Sequence, residues 1–332
     1  MFLKAIEKDL STLNTMALPC IAKRFYMLGD DDELQGFFAT EQGDVLILGG
    51  GSNVILPPLI SGPVVQLAYT GIDVINETDE SVTIDVGAAV VWDELVVWSV
   101  EHGYYGLENL SLIPGSVGAA PVQNIGAYGV ELKDSLNSVR AFDREQQAFV
   151  ELNTEQCQFE YRDSIFKRQN GRFVITRVIF ELSKLPEFCL EYGELRSLAE
   201  CDDLSLNSVR EKVIAVRQAK LPDPEKIPNS GSFFKNPVVS ADTYFELKKT
   251  FSDLVAYPLE NNHYKLAAGW LIDNAGLRGQ CIGRVAVHRK QALVLTNLGA
   301  AKQEDIIKAS EEIQQSCLAL YGVNLEVEPV IV

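Results

Sequence analysis

Two glycine-rich turns are the parts of this sequence whose residue types and spacing best suit chemistry on a nucleotide. One lies in Leu107–Gly129, a stretch with four glycines, two prolines, no lysine or arginine and a single carboxylate, Glu108. Because glycine and proline interrupt helices and strands, this stretch leaves a thin backbone that can lie against a ligand. Within it, the Gly-Ser-x-Gly turn at 115–118 can direct backbone N–H groups outward, which suits a pyrophosphate.

The second turn, Gly49–Asn53, reads Gly-Gly-Gly-Ser-Asn and directly follows the apolar run Val45–Leu48. Either turn alone is also compatible with an ordinary loop between core elements. Together they are suited to hold one dinucleotide from two sides, and this favours a nucleotide-binding site.

The two common nucleotide-binding motifs do not account for these turns. The segment Gly49-x-Gly51-x-x-Val54 lacks the third glycine of the Rossmann fingerprint, and no obvious acidic residue follows in a β-α-β context. The sequence contains no Gly-Lys dipeptide, which excludes the P-loop. We therefore expect a nucleotide-binding fold of another type.

The elements around the turns can be predicted from hydrophobic periodicity and from helix stops. Residues 1–43 are expected to begin with a short helical lead-in, and Gly103 is expected to end a helix. After the central stretch, polar turns join apolar segments that indicate antiparallel strands. The predicted elements of this half are the strands Ile21–Leu28, Val45–Leu48, Gln66–Ala68, Ser81–Val86, Ser138–Asp143, Ala148–Glu151 and Phe173–Leu182, and the helices Asp31–Thr40 and Trp92–Glu101.

A proline-rich joint marks the strongest predicted domain boundary. Ser208–Glu211 has the pattern of a capping box and is expected to open a helix through Ala219, which Leu221–Pro224 would then end. Ile227–Pro237 beyond it is rich in turn residues. The predicted elements that follow are the helices Ala241–Phe251, Leu266–Ala275 and Gln303–Tyr321, and the strands Ala286–Val287, Ala292–Thr296 and Leu325–Val332.

Composition narrows the classes of partner. The chain has 332 residues, which predicts two or three domains, and a net charge of −17, which argues against nucleic acid or an anionic membrane as the main partner. The six cysteines include no C-x-x-C pair and there are three histidines, so we expect no zinc site and free thiols in a reducing cytoplasm. The N-terminus has no apolar signal core, and no apolar run reaches the roughly 18 residues of a membrane span.

Seven segments, which occur in a fixed order, carry a resemblance to a known family. They read LILGGGSNVIL, ENLSLIPGSVGAAPVQNIGAYG, YRDSIFK, KLPDP, GSFFKNP, KLAAGWLID and VHRKQALVL. Together they resemble the UDP-N-acetylenolpyruvoylglucosamine reductase family, the flavoenzymes of peptidoglycan precursor synthesis, from about residue 14 to the C-terminus. YRDSIFK and the insertion around Tyr257 resemble the type I form of that family.

The resemblance implies an α+β architecture. It consists of an FAD-binding fold of the vanillyl-alcohol-oxidase (PCMH) type in two subdomains, plus a third α+β domain that binds the substrate. On this basis we expect residues 1–70 to form the first FAD-binding subdomain, 71–221 the second, and 222–322 the substrate-binding domain. The C-terminal strand, 323–332, is expected to return to the first subdomain.

The resemblance also implies an FAD site on both glycine-rich turns. Neither turn contains His or Cys, so we expect dissociable rather than covalent FAD. The implied enzyme is a monomeric cytoplasmic oxidoreductase that uses NADPH and serves cell-wall biogenesis, on which cell shape and division depend. The implied FAD contacts are Gly50, Gly51, Ser52 and Asn53 in one turn, and Pro114, Gly115, Ser116, Gly118 and Gly126 in and after the other.

The implied reaction has two halves. NADPH delivers hydride to N5 of FAD, and the reduced flavin then gives hydride to C3 of the enolpyruvyl group of UDP-N-acetylglucosamine enolpyruvate. The product is UDP-N-acetylmuramate. Negative charge develops at C2 and spreads into the carboxylate, so the site needs a cation or hydrogen-bond donors there and a proton donor at C2.

Two residues match the family's carboxylate-polarising group and proton donor. Arg162, in YRDS, would bind the carboxylate through its two-donor fork, with a structural Arg162–Asp163 pair as the alternative. Ser232, in GSFFKNP, would donate the proton to C2. A serine in a turn is more often a turn residue, and only the flanking motif favours the catalytic role.

A glutamate of the C-terminal tail is the third implied catalytic residue. The family's tail reads Leu-Glu-Pro-Glu, whereas this chain reads Leu-Glu-Val-Glu-Pro over residues 325–329. Counting from Tyr321 places the active acid at Glu328 and leaves Glu326 on the surface. A shift of two residues would put Val330 in that position and leave the site without its acid.

The remaining implied residues would contact the substrate. Lys220 suits a phosphate as a point charge, although an exposed lysine at a helix end is the alternative. Tyr257 precedes a proline in a polar loop, which is typical of a lid. Tyr128 and Tyr161 are equally compatible with packing. The predicted substrate-binding set is Tyr128, Tyr161, Tyr192, Lys220, Asn236, Tyr257 and Gln291.

Two other functions fit the same motifs. The chain could be an oxidase of sugars or alcohols on the same flavin scaffold, which would need access for O2 and tolerate loss of Ser232. It could instead be a catalytically inactive module that binds FAD or a UDP-sugar, which the altered tail around Glu328 would favour. Oxidation of NADPH only in the presence of the enolpyruvyl sugar nucleotide would separate the reductase from both.

Overall fold

The structure, a computed structural model, describes residues 4–201 and 203–332, without the side chain of residue 260. Its helices are α1 (Asp31–Thr40), α2 (Trp92–Glu101), α3 (Ile165–Arg168), α4 (Leu206–Lys220), α5 (Ala241–Thr250), α6 (Ala268–Asn274) and α7 (Gln303–Tyr321). Its strands are β1 (Ile6–Asp9), β2 (Ile21–Leu28), β3 (Leu46–Ile47), β4 (Val54–Ile55), β5 (Leu59–Leu67), β6 (Ile72–Glu77), β7 (Ser81–Gly87), β8 (Gly126–Ala127), β9 (Val130–Glu131), β10 (Leu136–Asp143), β11 (Ala148–Asn153), β12 (Phe173–Ser183), β13 (Asn229–Ser232), β14 (Val238–Ser240), β15 (Ala256–Leu259), β16 (His263–Leu266), β17 (Cys281–Ile282), β18 (Val285–Val287), β19 (Val294–Asn297) and β20 (Val330–Ile331).

The chain divides into two compact units. Unit 1 consists of Met1–Lys8, Ala22–Gly50 and Ile60–Ala219, and unit 2 of Asp9–Ile21, Gly51–Leu59 and Lys220–Val332. The longest segment of unit 2 thus begins at Lys220, the last residue of α4 and the first of the KLPDP motif. The three-subdomain division made from the sequence stays a prediction.

Unit 1 is built on two sheets. One has the strand order β1-β2-β5-β3, and the other, β11-β10-β12-β7-β6, is antiparallel at each of its four pairings. Strand β7 shows why such segments pair, because Val82, Ile84 and Val86 alternate with less buried residues and point into the core. Helix α2 buries Trp92, whose indole N–H donates to the carbonyl of Leu110 at 2.9 Å. This bond ties the helix to the central stretch, Leu107–Gly129.

The central stretch forms no long regular element, as its glycines and prolines predict. It contains two short 3-10 helices, Glu108–Leu110 and Val117–Gln123, and then the two-residue strand β8. Leu107, Leu110 and Val117 are fully buried in the core of unit 1. The stretch is therefore fixed by its apolar side chains, while its backbone remains free to form the turns.

Unit 2 contains an antiparallel sheet with the order β13-β19-β18-β17 and a smaller sheet, β14-β16-β15. The parallel pair β20–β4 joins the C-terminal residues to the segment after the first glycine-rich turn. Helices α6 and α7 cover a core that includes Phe233, Phe234 and Ile313. Helix α7 ends at Gly322, whose φ of 65° is the left-handed conformation common after a helix.

Three predicted elements are wrong in detail. The expected helical lead-in is instead strand β1, an exposed edge strand at Ile6–Asp9. Helix α4 begins at Leu206 rather than after a cap at Ser208, because Ser205 and Ser208 accept hydrogen bonds from each other's backbone N–H. The last strand covers only Val330–Ile331, since the residues before it pair elsewhere.

Most other predicted elements are confirmed, including α1, α2, α7, β2 and the antiparallel strands β10, β11 and β12. In the described ranges, no helix combines the length and apolar character that a membrane span requires. Over the same ranges, no group of His, Cys, Asp and Glu side chains is arranged to hold a metal ion.

Candidate functional site

In unit 1, the first two glycines of the first turn, Gly49 and Gly50, lie against the second turn. A Cβ atom added to Gly50 would stand 3.1 Å from the Cα atom of Gly115, and one added to Gly49 would stand 2.8 Å from the hydroxyl of Ser116. Only glycine permits this approach, because Cβ contacts that short are rare in proteins. The structure therefore explains two of the glycines of these turns by backbone contact between them.

In the described residues, two backbone N–H groups of the second turn donate hydrogen bonds within the protein, and two do not. The N–H of Val117 donates to the carbonyl of Val90, and that of Gly118 to the carbonyl of Ala88, both at 2.9 Å. Within the described ranges, the N–H groups of Gly115 and Ser116 form no hydrogen bond. These two donors at a thin, uncharged turn suit a phosphate oxygen, so this part of the predicted FAD site fits its ligand.

Two other predicted FAD residues, Gly118 and Gly126, are closely packed against neighbouring atoms. Gly118 packs so closely on Ala88 that an added Cβ would stand 2.5 Å from the Cβ atom there. Gly126 lies in β8, where an added Cβ would stand 3.3 Å from Nη1 of Arg162. Pro114 directly precedes Gly115 in the second turn. Ser52 and Asn53 end the first turn. The FAD contacts of all these residues remain predictions.

Arg162 occupies a tight turn with a rare backbone conformation. Glu160 and Asp163 exchange backbone hydrogen bonds of 3.0 and 3.2 Å, so Tyr161 and Arg162 form the two central positions of a hairpin turn. The φ angle of Arg162 is 55°, a left-handed value that side chains other than glycine rarely adopt. Such strain persists only where the surroundings hold it, and it is common at functional sites.

The partners of Arg162 argue against the structural pair with Asp163. The carboxylate of Asp163 contacts Arg168 at 2.6 Å instead. The guanidinium of Arg162 donates from Nη2 to the carbonyl of Gly126 at 2.8 Å and lies over the ring of Tyr161 at 5.7 Å. Arg162 is therefore directed to the end of the central stretch rather than to its sequence neighbour.

The YRDS segment is fastened to the central stretch by two further hydrogen bonds. The hydroxyl of Ser164 donates to the carbonyl of Val122 at 2.6 Å, and the side-chain amide of Asn124 donates to the carbonyl of Glu160 at 3.3 Å. Ser164 also caps α3 by accepting the N–H of Lys167. These bonds hold the turn that carries Arg162 against the C-terminal end of the 3-10 helix Val117–Gln123.

Two of the predicted substrate tyrosines meet in unit 1. Tyr128 and Gly129 have φ angles of 51° and 88° and form the two-residue turn of the β8–β9 hairpin. The rings of Tyr128 and Tyr192 pack edge to face with centroids 6.3 Å apart. Tyr128 also packs on a small apolar cluster around Leu195, and Tyr192 is largely exposed. Their contact with a substrate stays a prediction.

In unit 2, the C-terminal tail adds to the segment that carries Ser232. Ser232 ends β13, opposite Val294 of β19. The backbone N–H of Glu328 donates to the carbonyl of Phe233 at 2.9 Å, and Val327 pairs with Phe234. The two residues predicted to handle the proton are thus joined through one backbone hydrogen bond from Glu328 to the neighbour of Ser232.

The two tail glutamates have different surroundings. Glu326 is exposed and forms an ion pair with Lys235, and its carbonyl also accepts the N–H of Lys235 at 2.9 Å. Glu328 is buried, with 9% of its surface exposed. The structure thus gives Glu326 the surface position and Glu328 the buried one, as the register counted from Tyr321 requires. The catalytic role of Glu328 remains a prediction.

Two predicted substrate residues lie at the first turn of α6. The side-chain oxygen of Asn236 accepts the backbone N–H of Ala268 at 2.9 Å. The side-chain oxygen of Gln291 would stand 3.1 Å from a Cβ atom added to Gly269. Tyr257 lies in β15 opposite Lys265 and is partly exposed, while Lys220 is exposed at the end of α4.

One charged residue of unit 1 was missed by sequence reasoning. Arg217 lies on α4, and its Nε atom is buried without a hydrogen-bond partner in the described part of the chain. Burial lowers the pKa of its guanidinium, and Tyr128, Asp93 and Arg162 are near enough to influence it. The only available signal was its spacing, three residues before KLPDP, which is equally typical of a solvated helix face.

Comparisons with known proteins agree on one family. The domain described as "FAD binding domain" matches residues 33–149, and "UDP-N-acetylenolpyruvoylglucosamine reductase, C-terminal domain" matches residues 223–332. The chain is 44% identical to the UDP-N-acetylenolpyruvoylglucosamine reductase of a Psychrobacter species, over 96% of this chain and 87% of that protein. It is also 44% identical to the reductase of Bdellovibrio bacteriovorus, over 97% of both chains.

A solved structure supports the fold. The crystal structure of UDP-N-acetylenolpyruvylglucosamine reductase from Thermus caldophilus superposes with a TM-score of 0.71, covers 99% of both chains and has 23% sequence identity. At that identity the likeness establishes the fold alone. The expected FAD-binding α+β architecture is confirmed by this neighbour together with the match to the FAD binding domain.

Proposed function

The chain belongs to the UDP-N-acetylenolpyruvoylglucosamine reductase family of FAD-binding oxidoreductases, and from that premise we propose its reaction and the residues that perform it. The proposed reaction is the NADPH-dependent reduction of UDP-N-acetylglucosamine enolpyruvate to UDP-N-acetylmuramate. It would supply a peptidoglycan precursor in the cytoplasm. FAD, when bound, would accept hydride from NADPH and pass it to C3 of the enolpyruvyl group.

The chain's own contribution to FAD binding would come from the two glycine-rich turns. The unused N–H groups of Gly115 and Ser116 would bind pyrophosphate oxygens, and the close approach of Gly50 to Gly115 keeps the surface thin there. Neither turn offers a histidine or cysteine for a covalent bond to flavin, so we propose that FAD is dissociable.

Arg162 would bind the carboxylate of the substrate. Its fork can give two hydrogen bonds to one carboxylate, and its charge opposes the negative charge that develops on hydride addition at C3. Asp163 pairs with Arg168 and so does not compete with the substrate for that charge. The strained turn and the bond to the carbonyl of Gly126 would fix the guanidinium before the substrate arrives, which lowers the cost of orienting it.

Ser232 would deliver the proton to C2, and Glu328 would complete the proton-handling set. A serine hydroxyl is a weak acid, so proton transfer from it needs a neighbouring group that restores its proton. The observation that carries the proposal is the hydrogen bond from the N–H of Glu328 to the carbonyl of Phe233, the residue after Ser232. It supports the predicted pairing of these two residues in a tail whose sequence departs from the family pattern.

The test is NADPH oxidation by the FAD-loaded protein with and without UDP-N-acetylglucosamine enolpyruvate. We expect NADPH consumption to depend on the sugar nucleotide and to match the formation of UDP-N-acetylmuramate. Consumption that needs only O2 would support a flavin oxidase instead. Binding of FAD and the sugar nucleotide without turnover would support an inactive binding module.

A further inference from the structure

Arg217 is a partly buried cation on α4. Within residues 4–201 and 203–332, it forms no ion pair, and its Nε atom is enclosed without an acceptor. Burial of an uncompensated charge is unfavourable, and proteins usually pair such a group with a carboxylate. The same removal from water lowers the pKa of the Arg217 guanidinium. A fold that keeps such a group implies that an anion reaches it at some stage.

Asp93, whose charge influences Arg217, does not meet this need. Asp93 binds Arg210 through both oxygens, at 2.8 Å each, and one of these oxygens also accepts the N–H of Leu112 at 2.5 Å. Arg210 and Arg217 stand seven residues apart on α4 and so share a face of the helix. In the part of the chain that the structure describes, the carboxylate of Asp93 is thus committed to Arg210 and not to Arg217.

The position of Arg217 indicates which anion would reach it. Val213, one turn before Arg217 on α4, lies in the apolar cluster on which Tyr128 packs, and Arg162 donates to the carbonyl of Gly126, two residues before Tyr128. Arg162, the residue proposed above to bind the substrate's carboxylate, is also among the groups that lower the pKa of Arg217. Two arginines that repel each other in unit 1 are suited to share one anion. The pyrophosphate of FAD already has the unused N–H groups of the glycine-rich turn. The carboxylate next to Arg162 therefore remains the better candidate.

We propose that Arg217 is a second substrate-binding arginine, which acts with Arg162 on the enolpyruvyl carboxylate and on the dianion that forms when hydride adds to C3. The inference rests on the proposed function. It deepens that function because hydride addition raises the negative charge of the enolpyruvyl group from one to two. A single guanidinium balances only one of these charges. The contribution of Arg217 should accordingly be larger for the reacting substrate than for the bound one.

The test compares Arg217→Gln and Arg217→Lys with Arg210→Gln as a matched control on the same helix face. Substrate affinity is measured with the oxidised, FAD-loaded protein by the change in flavin absorbance, and reduction of the flavin by NADPH is followed separately without oxygen. We expect Arg217→Gln to weaken substrate binding at least tenfold and to lower kcat at least a hundredfold, with flavin reduction within threefold of wild type. Arg217→Lys should recover affinity more than kcat, because it keeps the charge and loses the fork.

Thermal unfolding without substrate separates a binding role from a structural one. Arg217→Gln should leave the midpoint unchanged or raise it, since it removes an uncompensated buried charge. Arg210→Gln should lower the midpoint, because it leaves Asp93 unpaired. A lower midpoint for Arg217→Gln, unchanged substrate affinity, or a loss confined to flavin reduction would overturn the inference. Failure of the wild type to turn over the sugar nucleotide would instead refute the proposed function.

Discussion

At the scale of single residues, the site depends on side chains whose backbone is held by distant parts of the chain. Arg162 adopts a left-handed conformation inside a two-residue turn, and bonds from Asn124 and Ser164 fasten its segment to the central stretch. The sequence motif predicts which residues matter. It does not predict that Asp163 turns away to Arg168, because that choice depends on a side chain five residues further along.

The first prediction concerns Ser232. Ser232→Ala should leave reduction of the flavin by NADPH near normal and lower product formation by at least a hundredfold, because only the proton at C2 is lost. Single-turnover measurement of both half-reactions checks it. Ser230→Ala is the matched control two residues away, since the Ser230 hydroxyl is buried without a partner in the described ranges. A drop of less than tenfold in turnover for Ser232→Ala would exclude Ser232 as the proton donor.

The second prediction concerns the tail glutamates. Glu328→Gln should lower kcat at least a hundredfold with little change in stability, because the amide keeps the volume of a buried side chain and loses its acid. Glu326→Gln should retain activity, since that side chain is exposed beside Lys235. Steady-state kinetics on both variants check this. Full activity in Glu328→Gln, or a severe loss in Glu326→Gln, would show that the assigned register is wrong.

At the scale of elements, sequence patterns predicted best where local signals agree. Helix α7 was predicted with both ends correct, because its apolar spacing runs unbroken from Gln303 and Gly322 ends it. Strand β1 was missed because its four residues, Ile6–Asp9, are exposed and show no alternation, so only pairing with β2 defines it. The cap of α4 was misplaced because Ser205 and Ser208 can both cap a helix, and in the structure Ser205 precedes the first helical residue, Leu206.

The third prediction tests the packing of the second glycine-rich turn. Gly118→Ala should lower the free energy of unfolding by about 1–3 kcal/mol, because its Cβ would stand 2.5 Å from the Cβ atom of Ala88. It should also lower the bound FAD per chain after dialysis. Gly36→Ala in helix α1 is the control, since nothing lies within 4 Å of a Cβ atom added to Gly36. Gly36→Ala should be neutral or stabilise by about 0.5–1 kcal/mol.

Urea unfolding and the flavin-to-protein absorbance ratio measure these two effects. If Gly118→Ala binds FAD and unfolds like the wild type, the close packing of this turn on Ala88 does not position the cofactor site. Equal losses in Gly118→Ala and Gly36→Ala would point to a general effect of substitution rather than to the turn.

At the scale of the whole molecule, negative charge is distributed unevenly. The segments of unit 2 hold 12 Lys and Arg against 14 Asp and Glu, so nearly all of the net charge of −17 belongs to unit 1. A nearly neutral unit 2 does not repel a nucleotide substrate, which agrees with the substrate residues predicted there. The family and fold could be predicted from ordered motifs that span the chain. The division into units could not, because Asp9–Ile21 and Gly51–Leu59 join unit 2 through long-range contacts.

Several carboxyl groups of unit 1 have shifted pKa values that set how stability depends on pH. Burial alone would raise the pKa of Asp93 and of Asp143, yet hydrogen bonds from Arg210 and Arg172 outweigh it, so both pKa values lie below their ordinary range. Burial raises the pKa of Glu108. A carboxyl with a lowered pKa stabilises the fold above its unfolded value and loses that contribution as the pH falls through its folded value. A carboxyl with a raised pKa behaves in the opposite way, because protonation removes an unfavourable buried charge.

The last prediction follows from these signs. As the pH falls from about 7 towards 5, the free energy of unfolding should stay level or rise. A smaller net charge favours the fold, and the raised pKa of Glu108 lets the folded chain take up this proton before the unfolded chain does. Below about pH 4 it should fall, as the paired carboxylates Asp93 and Asp143 are protonated and their arginine partners lose their counterions. Urea unfolding at constant ionic strength, followed by tryptophan fluorescence, measures the profile. Asp143→Asn should be less stable at pH 7 and lose less stability below pH 4, because the group that titrates there is absent. A steady decline that begins at pH 7, or an unchanged acid limb in Asp143→Asn, would contradict the assignment of these groups.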